Sequence, residues 1–204
     1  MWQMKKGDIL SRFLELKQTD PKYLKDIILS FMTAGKDTTA TTLSWFIYML
    51  CKHPHLQEKI AQEVREATKL KDNSSIDELA SSITEEALDK MQYLHAALTE
   101  TLRLYPAIPV VISVLLMSSF FFFFQVSNFL VLLQDGKLCF SDDTWPDGFS
   151  VRKWNIVSYQ PYAMGRMKLL WGDDAEEFRP ERWLDENCIF QQESPFKFTA
   201  FQVR

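Results

Sequence analysis

Cysteine is scarce in these 204 residues: Cys51, Cys139 and Cys188 are odd in number, widely spaced and form no Cys-x-x-Cys pair. That pattern excludes a disulfide framework and a zinc site, so no metal ligands are assigned, and it fits a reducing compartment. An excess of basic charge is also missing, since 23 Lys and Arg against 27 Asp and Glu leave a net charge of −4. Without that electrostatic footprint, nucleic acid is excluded as a partner. Met1 to Asp8 carries Lys5 and Lys6 but no apolar run behind them, which reads as neither a signal peptide nor a membrane anchor. There is no internal repeat. The rest is ordinary globular composition, 47% hydrophobic and 25% charged, which excludes wholesale disorder and fits one domain, or one large domain cut short. Only aromatics are in surplus, with 16 Phe and 6 Trp, and Phe120 to Phe124 in a row.

Charge disappears entirely from Leu104 to Gln134. Val110 to Leu133 is long enough to cross a bilayer as a helix, although Ser118-Ser119 and Ser127-Asn128 interrupt it and no aromatic belt marks its edges. A second account is a retained intron. An intron opens on GT, which in frame encodes Val, closes on AG, which ends a Gln codon, and carries a pyrimidine tract read as Phe, Ser and Leu. Val111 to Gln134 has all three marks. The expectation is therefore three segments: a helical part over 1–110, a translated intron over 111–134, and a second part of the same domain over 135–204. Val203-Arg204 reads as the start of a further unspliced intron.

Asp20-Pro21 is a helix start, and Leu24, Ile27, Ile28, Phe31, Leu43, Phe46, Ile47 and Leu50 repeat at helical spacing as far as His53-Pro54. The second half of that long helix is apolar nearly all round, the mark of a helix buried in a larger body than this chain provides. Pro54 opens an amphipathic helix that buries Leu56, Ile60 and Val64. Capping-box patterns at Ser75–Glu78 and Ser82–Glu85 predict two short helices, followed by one from about Leu94 to Tyr105. Past Gln134, Pro146-Asp147-Gly148 signals a turn and Ile156, Val157 and Tyr159 a strand, so short strands around a hairpin are predicted. Asp173 to Glu177 suits one helical turn, and the remainder is mostly loop. The fold class is mainly α with a small β part.

Three patterns bear on chemistry. Ala34-Gly35-Lys36-Asp37-Thr38-Thr39 puts Gly and β-branched Thr mid-helix, where propensity disfavours them. Small Ala34 and Gly35 let a planar cofactor approach the backbone, a Thr hydroxyl bonding back opens the helix locally, and Asp37 passes protons. The plainer alternative is a helix-packing glycine beside solvated polar residues. Glu100 and Arg103, at i and i+3, stand opposite Leu94, Leu98, Leu102 and Tyr105, where the plain alternative is a surface ion pair. Phe178-Arg179-Pro180-Glu181-Arg182-Trp183 reads as an aromatic-rich loop, or one whose Arg182 reaches a buried acid.

Taken in order, Ala34-Gly35-x-Asp37-Thr38-Thr39, Glu100-x-x-Arg103 and Phe178-x-Pro180-Glu181-Arg182-Trp183 resemble the haem-thiolate monooxygenases, the cytochrome P450 family. Glu100 to Pro106 and Ser158 to Arg166 look most like the plant fatty-acid ω-hydroxylase branch. The resemblance covers about residues 5 to 110 and 135 to 202 and implies a partial P450 fold: long central helix, following helices, Glu-x-x-Arg helix, short hairpin and meander. It implies a haem cofactor bordered by Ala34, Gly35 and Thr38, with Asp37 and Thr38 as catalytic residues that deliver protons for O–O cleavage. Glu100, Arg103 and Arg182 would form a buried charge triad that holds geometry rather than performing chemistry. The implied partners are a lipid substrate and an NADPH-cytochrome P450 reductase, with possible membrane association, and the implied location is the endoplasmic reticulum membrane.

The departures are equally specific. The family's haem loop reads F-x-x-G-x-R-x-C-x-G, whereas this sequence has Phe198-Thr199-Ala200-Phe201-Gln202-Val203-Arg204 where that loop should begin. The axial cysteine is not among these residues, and none of the three cysteines sits in that setting, so the chain is expected to be inactive. Removing 111–134 would join Pro109-Val110 to Asp135-Gly136, a short link typical of the family. The competing expectations are a non-catalytic single-span membrane or interaction protein and the product of an aberrant transcript.

Overall fold

The computed structural model describes residues 9–16, 20–70, 74–108 and 135–201. The predicted span or intron at 111–134 and Val203-Arg204 lie outside them. Helix α1 (Ile9–Glu15) precedes the 32-residue α2 (Pro21–Lys52). Asp20 is the N-cap of α2, its carboxylate accepting the Lys22 N–H at 3.0 Å, and Pro21 stands at the first helical position where no N–H is needed. Pro54 ends α2, because the residue before a proline is pushed out of helical geometry. His53 is therefore both C-cap of α2 and N-cap of α3 (Pro54–Thr68).

Leu56 and Ile60 of α3 are buried at i, i+4 spacing, each contributing about 1.5–3 kcal/mol of transfer free energy. Helix α4 (Ile76–Ser82) opens on a complete capping box: Ser75 Oγ accepts the Glu78 N–H, and the Glu78 carboxylate accepts the Ser75 N–H. The second predicted box does not form. Ser82 still belongs to α4 and donates its hydroxyl to Leu79 O, so Thr84 instead caps α5 (Glu85–Lys90) by accepting the Ala87 N–H.

Helix α6 (Gln92–Leu104) is the centre of the molecule. One face packs with Phe46 and Met49 of α2, Leu56 and Ile60 of α3, and Phe178; its Ala96 packs with Trp171, Ala175 and Trp183. Met91, at its N-cap, offers no side-chain oxygen, and Glu63 of α3 substitutes by accepting the Tyr93 and Leu94 N–H groups at 2.7 and 2.8 Å.

The β part is one antiparallel ribbon in two short ladders. β1 (Asp135–Leu138) pairs with β4 (Ile156–Tyr159), Asp135 opposite Tyr159, and β2 (Asp143–Thr144) pairs with β3 (Ser150–Val151) around the predicted turn. Gly148 in that turn has φ +85°, the left-handed region glycine occupies freely. Three short elements are absent from the sequence expectation: α7 (Pro161–Met164), α8 (Lys168–Trp171) and a 3-10 helix (Pro180–Trp183). The helical turn predicted at Asp173–Glu177 is instead a pair of i→i+3 turns, with Ala175 N–H to Gly172 O and Glu177 N–H to Asp174 O.

Candidate functional site

Two places carry the residues singled out in the sequence. The first is buried at the middle of α6. Glu100 and Arg103 are fully enclosed, paired at 2.7 Å (Arg103 Nε to Glu100 Oε2) and 2.8 Å (Arg103 Nη2 to Glu100 Oε1). The surface ion pair is thus overturned, because α7, α8 and the 3-10 helix cover the face that α6 alone would show to water. Glu100 also accepts the Arg179 N–H at 3.0 Å and the Trp183 indole N–H at 2.9 Å. Arg103 spends its remaining donors on the carbonyls of Gly165, Ala175 (2.6 Å) and Glu177 (3.1 Å).

One guanidinium thereby gathers three points of the irregular segment 165–177. Gly165 is required for that approach: a Cβ there would collide with the Arg103 carbonyl oxygen. Arg182 is close as well, its Nε 3.5 Å from Glu100 Oε1, but its directed hydrogen bonds go to Trp171 O (2.8 Å), Asp174 O (3.0 Å) and Asp174 Oδ1 (3.2 Å). Asp174 and Trp183 are functional-cluster residues that sequence reasoning missed. Trp183 lay inside a quoted motif, whereas Asp174 carried no signal beyond its charge. The hydrogen bond from Arg182, and the Arg182 and Arg179 charges, hold the Asp174 carboxyl below the ordinary carboxylate range against some burial.

A second cluster sits where α3, α6 and the 3-10 helix meet. The Tyr93 hydroxyl donates to Glu181 Oε1 at 2.6 Å, Lys59 Nζ reaches the same oxygen at 3.1 Å, and the ammonium lies 3.7 Å from the Tyr93 ring centroid. Burial, and then the Glu181 carboxylate, push the Tyr93 phenol well above its usual value. Burial pushes Glu181 up, but hydrogen bonds from Tyr93, its own backbone N–H and Lys59 outweigh it, leaving its carboxyl below the usual range.

The other place is a recess of about 400 Å³ between α2, the end of α6 and the last described residues, lined by Thr38, Thr39, Thr42, Leu43, Leu102, Ala107, Ile108, Ala200 and Phe201. Of the residues predicted there, Thr38 lines it; Ala34, Gly35 and Asp37 are exposed on α2 one turn away or alongside. The Thr38 hydroxyl donates back to Ala34 O and that of Thr42 to Thr38 O at 2.9 Å, yet α2 runs through this stretch as unbroken helix. A Cβ built on Gly35 would meet nothing within 4 Å. Leu43, Leu102, Ala107, Ile108, Ala200 and Phe201 make the remaining wall apolar.

That donor set fits one face of a flat, apolar prosthetic group. Among the described residues no Cys or His lines the recess to serve as a ligand, and no group of three or more His, Cys, Asp or Glu is placed to hold a metal ion. Cys51 and Cys188 are exposed and Cys139 is half-buried. Arg166 fastens the end of α6: it donates to Leu104 O and lies over the Tyr105 ring (5.2 Å), which in turn stacks on Trp45 of α2 at 4.1 Å. Among the described residues no helix is long and apolar enough to cross a membrane.

The cytochrome P450 family profile matches residues 3–115 and 131–202. Cytochrome P450 704C1 of Pinus taeda is 50% identical over 96% of this chain and 35% of its own length. Cytochrome P450 94A1 of Vicia sativa is 38% identical over 96% of the chain and 32% of its own. A solved structure, retinoic acid bound cyanobacterial CYP120A1, superposes with a TM-score of 0.69 at 27% identity, over 98% of this chain and 38% of that one. The chain spans about a third of the length of the curated relatives it matches. Its mainly helical body with a small antiparallel ribbon is part of the P450 fold. With the profile covering most of its length, this chain belongs to the cytochrome P450 family.

Proposed function

We propose that this chain carries the proton-handling helix and the buried charge cluster of a haem-dependent monooxygenase. Its lineage hydroxylates long-chain fatty acids or similar lipids with O2 and electrons from an NADPH-cytochrome P450 reductase, at the endoplasmic reticulum membrane. The observation that carries the reading is the recess in which Thr38, Thr39 and Thr42 bring hydroxyls to an otherwise apolar wall. Such a surface suits a flat ring and an alkyl chain. The likeness of Glu100–Pro106 and Ser158–Arg166 to plant fatty-acid ω-hydroxylases supports the lipid substrate.

A bound haem would supply oxygen activation. Thr38 on the recess wall, with Ala34 and Gly35 one turn away on α2, would hold one side of it. Asp37, exposed beside the recess, takes protons from solvent. Thr38 Oγ1 would accept a proton on a free lone pair and pass its own hydroxyl proton inward, which requires the O–H to turn away from Ala34 O, to which it donates at rest. Glu100, Arg103 and Arg182 hold the segment 165–183 in place. The three cysteines lie away from the recess, so a polypeptide of these 204 residues alone does not perform the reaction. We assign 1–110 and 135–204 to one domain and 111–134 to translated intron, a reading supported by the family match passing over residues 116–130.

Two measurements test this. The hemin-reconstituted, reduced 204-residue chain shows no band at about 450 nm under CO; a clear band overturns its inactivity. Sequencing of genomic DNA and mature cDNA across codons 111–134 and beyond 202 finds the insertion spliced out and the frame continuing into a cysteine-containing loop. Message that retains the insertion and lacks such a loop overturns the lineage activity for this product.

A further inference from the structure

Trp183 joins the two places just described. It is 1% exposed, and its single donor, the indole N–H, goes to Glu100 Oε2 at 2.9 Å. The Arg179 N–H binds the other oxygen of the same carboxylate, so Glu100 grips the 3-10 helix at both ends. A carboxylate excluded from water holds such a donor strongly, which fixes the rotation of the indole as well as its position. Against that fixed ring stands Phe198, edge to face at 4.9 Å and 71°, and against Phe198 stands Phe201 at 6.0 Å and 76°.

Residues 198–201 belong to no regular helix or strand, and Phe198 packs on the cluster of Ala96, Trp171, Ala175 and Trp183. Ala200 and Phe201 form one wall of the recess. We propose that Trp183 is a positioning residue for the recess: Glu100 orients the indole, the indole seats Phe198, and Phe198 sets the Ala200–Phe201 wall. A phenylalanine at this position keeps an aromatic ring in the core but loses the donor that orients it. The positioning stands on these contacts alone; its consequence for a bound ring rests on the function proposed above.

NMR of the 204-residue chain, labelled at indole nitrogens and alanine methyls, tests it. In the unsubstituted chain the Trp183 indole N–H exchanges with deuterium about 100-fold more slowly than that of Trp154, which is 62% exposed. Trp183→Phe shifts the Ala200 methyl resonance, as Phe198→Leu does, and weakens hemin binding roughly tenfold, the scale set by a hydrogen bond to a charged group. An Ala200 methyl unmoved by Trp183→Phe overturns the proposal, whatever happens to stability. An indole N–H exchanging as fast as that of Trp154 overturns it equally, and that measurement needs no substituted protein. A shifted methyl in a chain that binds no hemin upholds the positioning and removes the flat-ring reading.

Discussion

Glu100, shut away from water, accepts from Nε and Nη2 of Arg103, from the Trp183 indole and from the Arg179 backbone. Removing a partner from such a site strands the remaining charge, so Arg103→Met is expected to cost about 3–5 kcal/mol in urea unfolding. It also releases the carbonyls of Gly165, Ala175 and Glu177. At the 3-10 helix the sign of a pH effect follows from Glu181. Its folded carboxyl lies below the ordinary value, so the unfolded chain binds the proton more readily and stability rises with pH. That contribution is whole above about pH 4.5 and is lost as pH falls through the folded value. The gap in unfolding midpoint between the natural chain and Glu181→Gln, present at pH 6, should narrow steadily as the medium is acidified below the ordinary carboxylate range. Glu100 and Arg103 were legible in the sequence as an i, i+3 pair, since one helix fixes their spacing. Asp174 and Gly165 were not, since nothing near them in the chain says that Arg182 and the end of α6 will arrive there.

At the scale of elements, local chemistry predicts the long helices well. Asp20, Pro21 and the His53-Pro54 break set the ends of α2, and Ser75 with Glu78 sets the start of α4. Substituting the Ser75 cap should therefore lower stability: Ser75→Ala is expected to cost about 1 kcal/mol. Thr38 runs the other way. Its hydroxyl bonds back to Ala34 O in the middle of α2, a habit that slightly weakens helices, and alanine has the higher propensity. Thr38→Ala should leave the thermal midpoint unchanged or raise it, by at most about 0.7 kcal/mol of stability. A marked fall would mean that Thr38 is there to hold the helix and not to serve the recess. The short elements α7, α8 and the 3-10 helix escaped prediction because four residues carry too little periodicity. They exist because Arg103, Arg166 and Trp183 fasten them to α6.

Across the whole molecule the conspicuous imbalance is α2. Phe31, Met32, Leu43, Ile47 and Tyr48 remain largely exposed along it, while its Phe46 and Met49 are buried against the other helices. That much apolar surface left exposed around one helix favours association. The 204-residue chain is expected to self-associate in sedimentation velocity, and Phe31→Lys with Ile47→Lys should return it to monomer without lowering the urea midpoint. A lowered midpoint would show that these side chains already pack within the monomer. The sequence by itself determined the long helices, the turn at Gly148 and the family motifs, because caps, prolines and hydrophobic period act within a few residues. It left the Glu100–Arg103 pair open between surface and core. The tertiary structure decided that question, and with it the roles of Trp183, Asp174 and Gly165, because burial depends on which distant segments cover a helix face. The cover on α6 comes from residues more than sixty positions further along the chain.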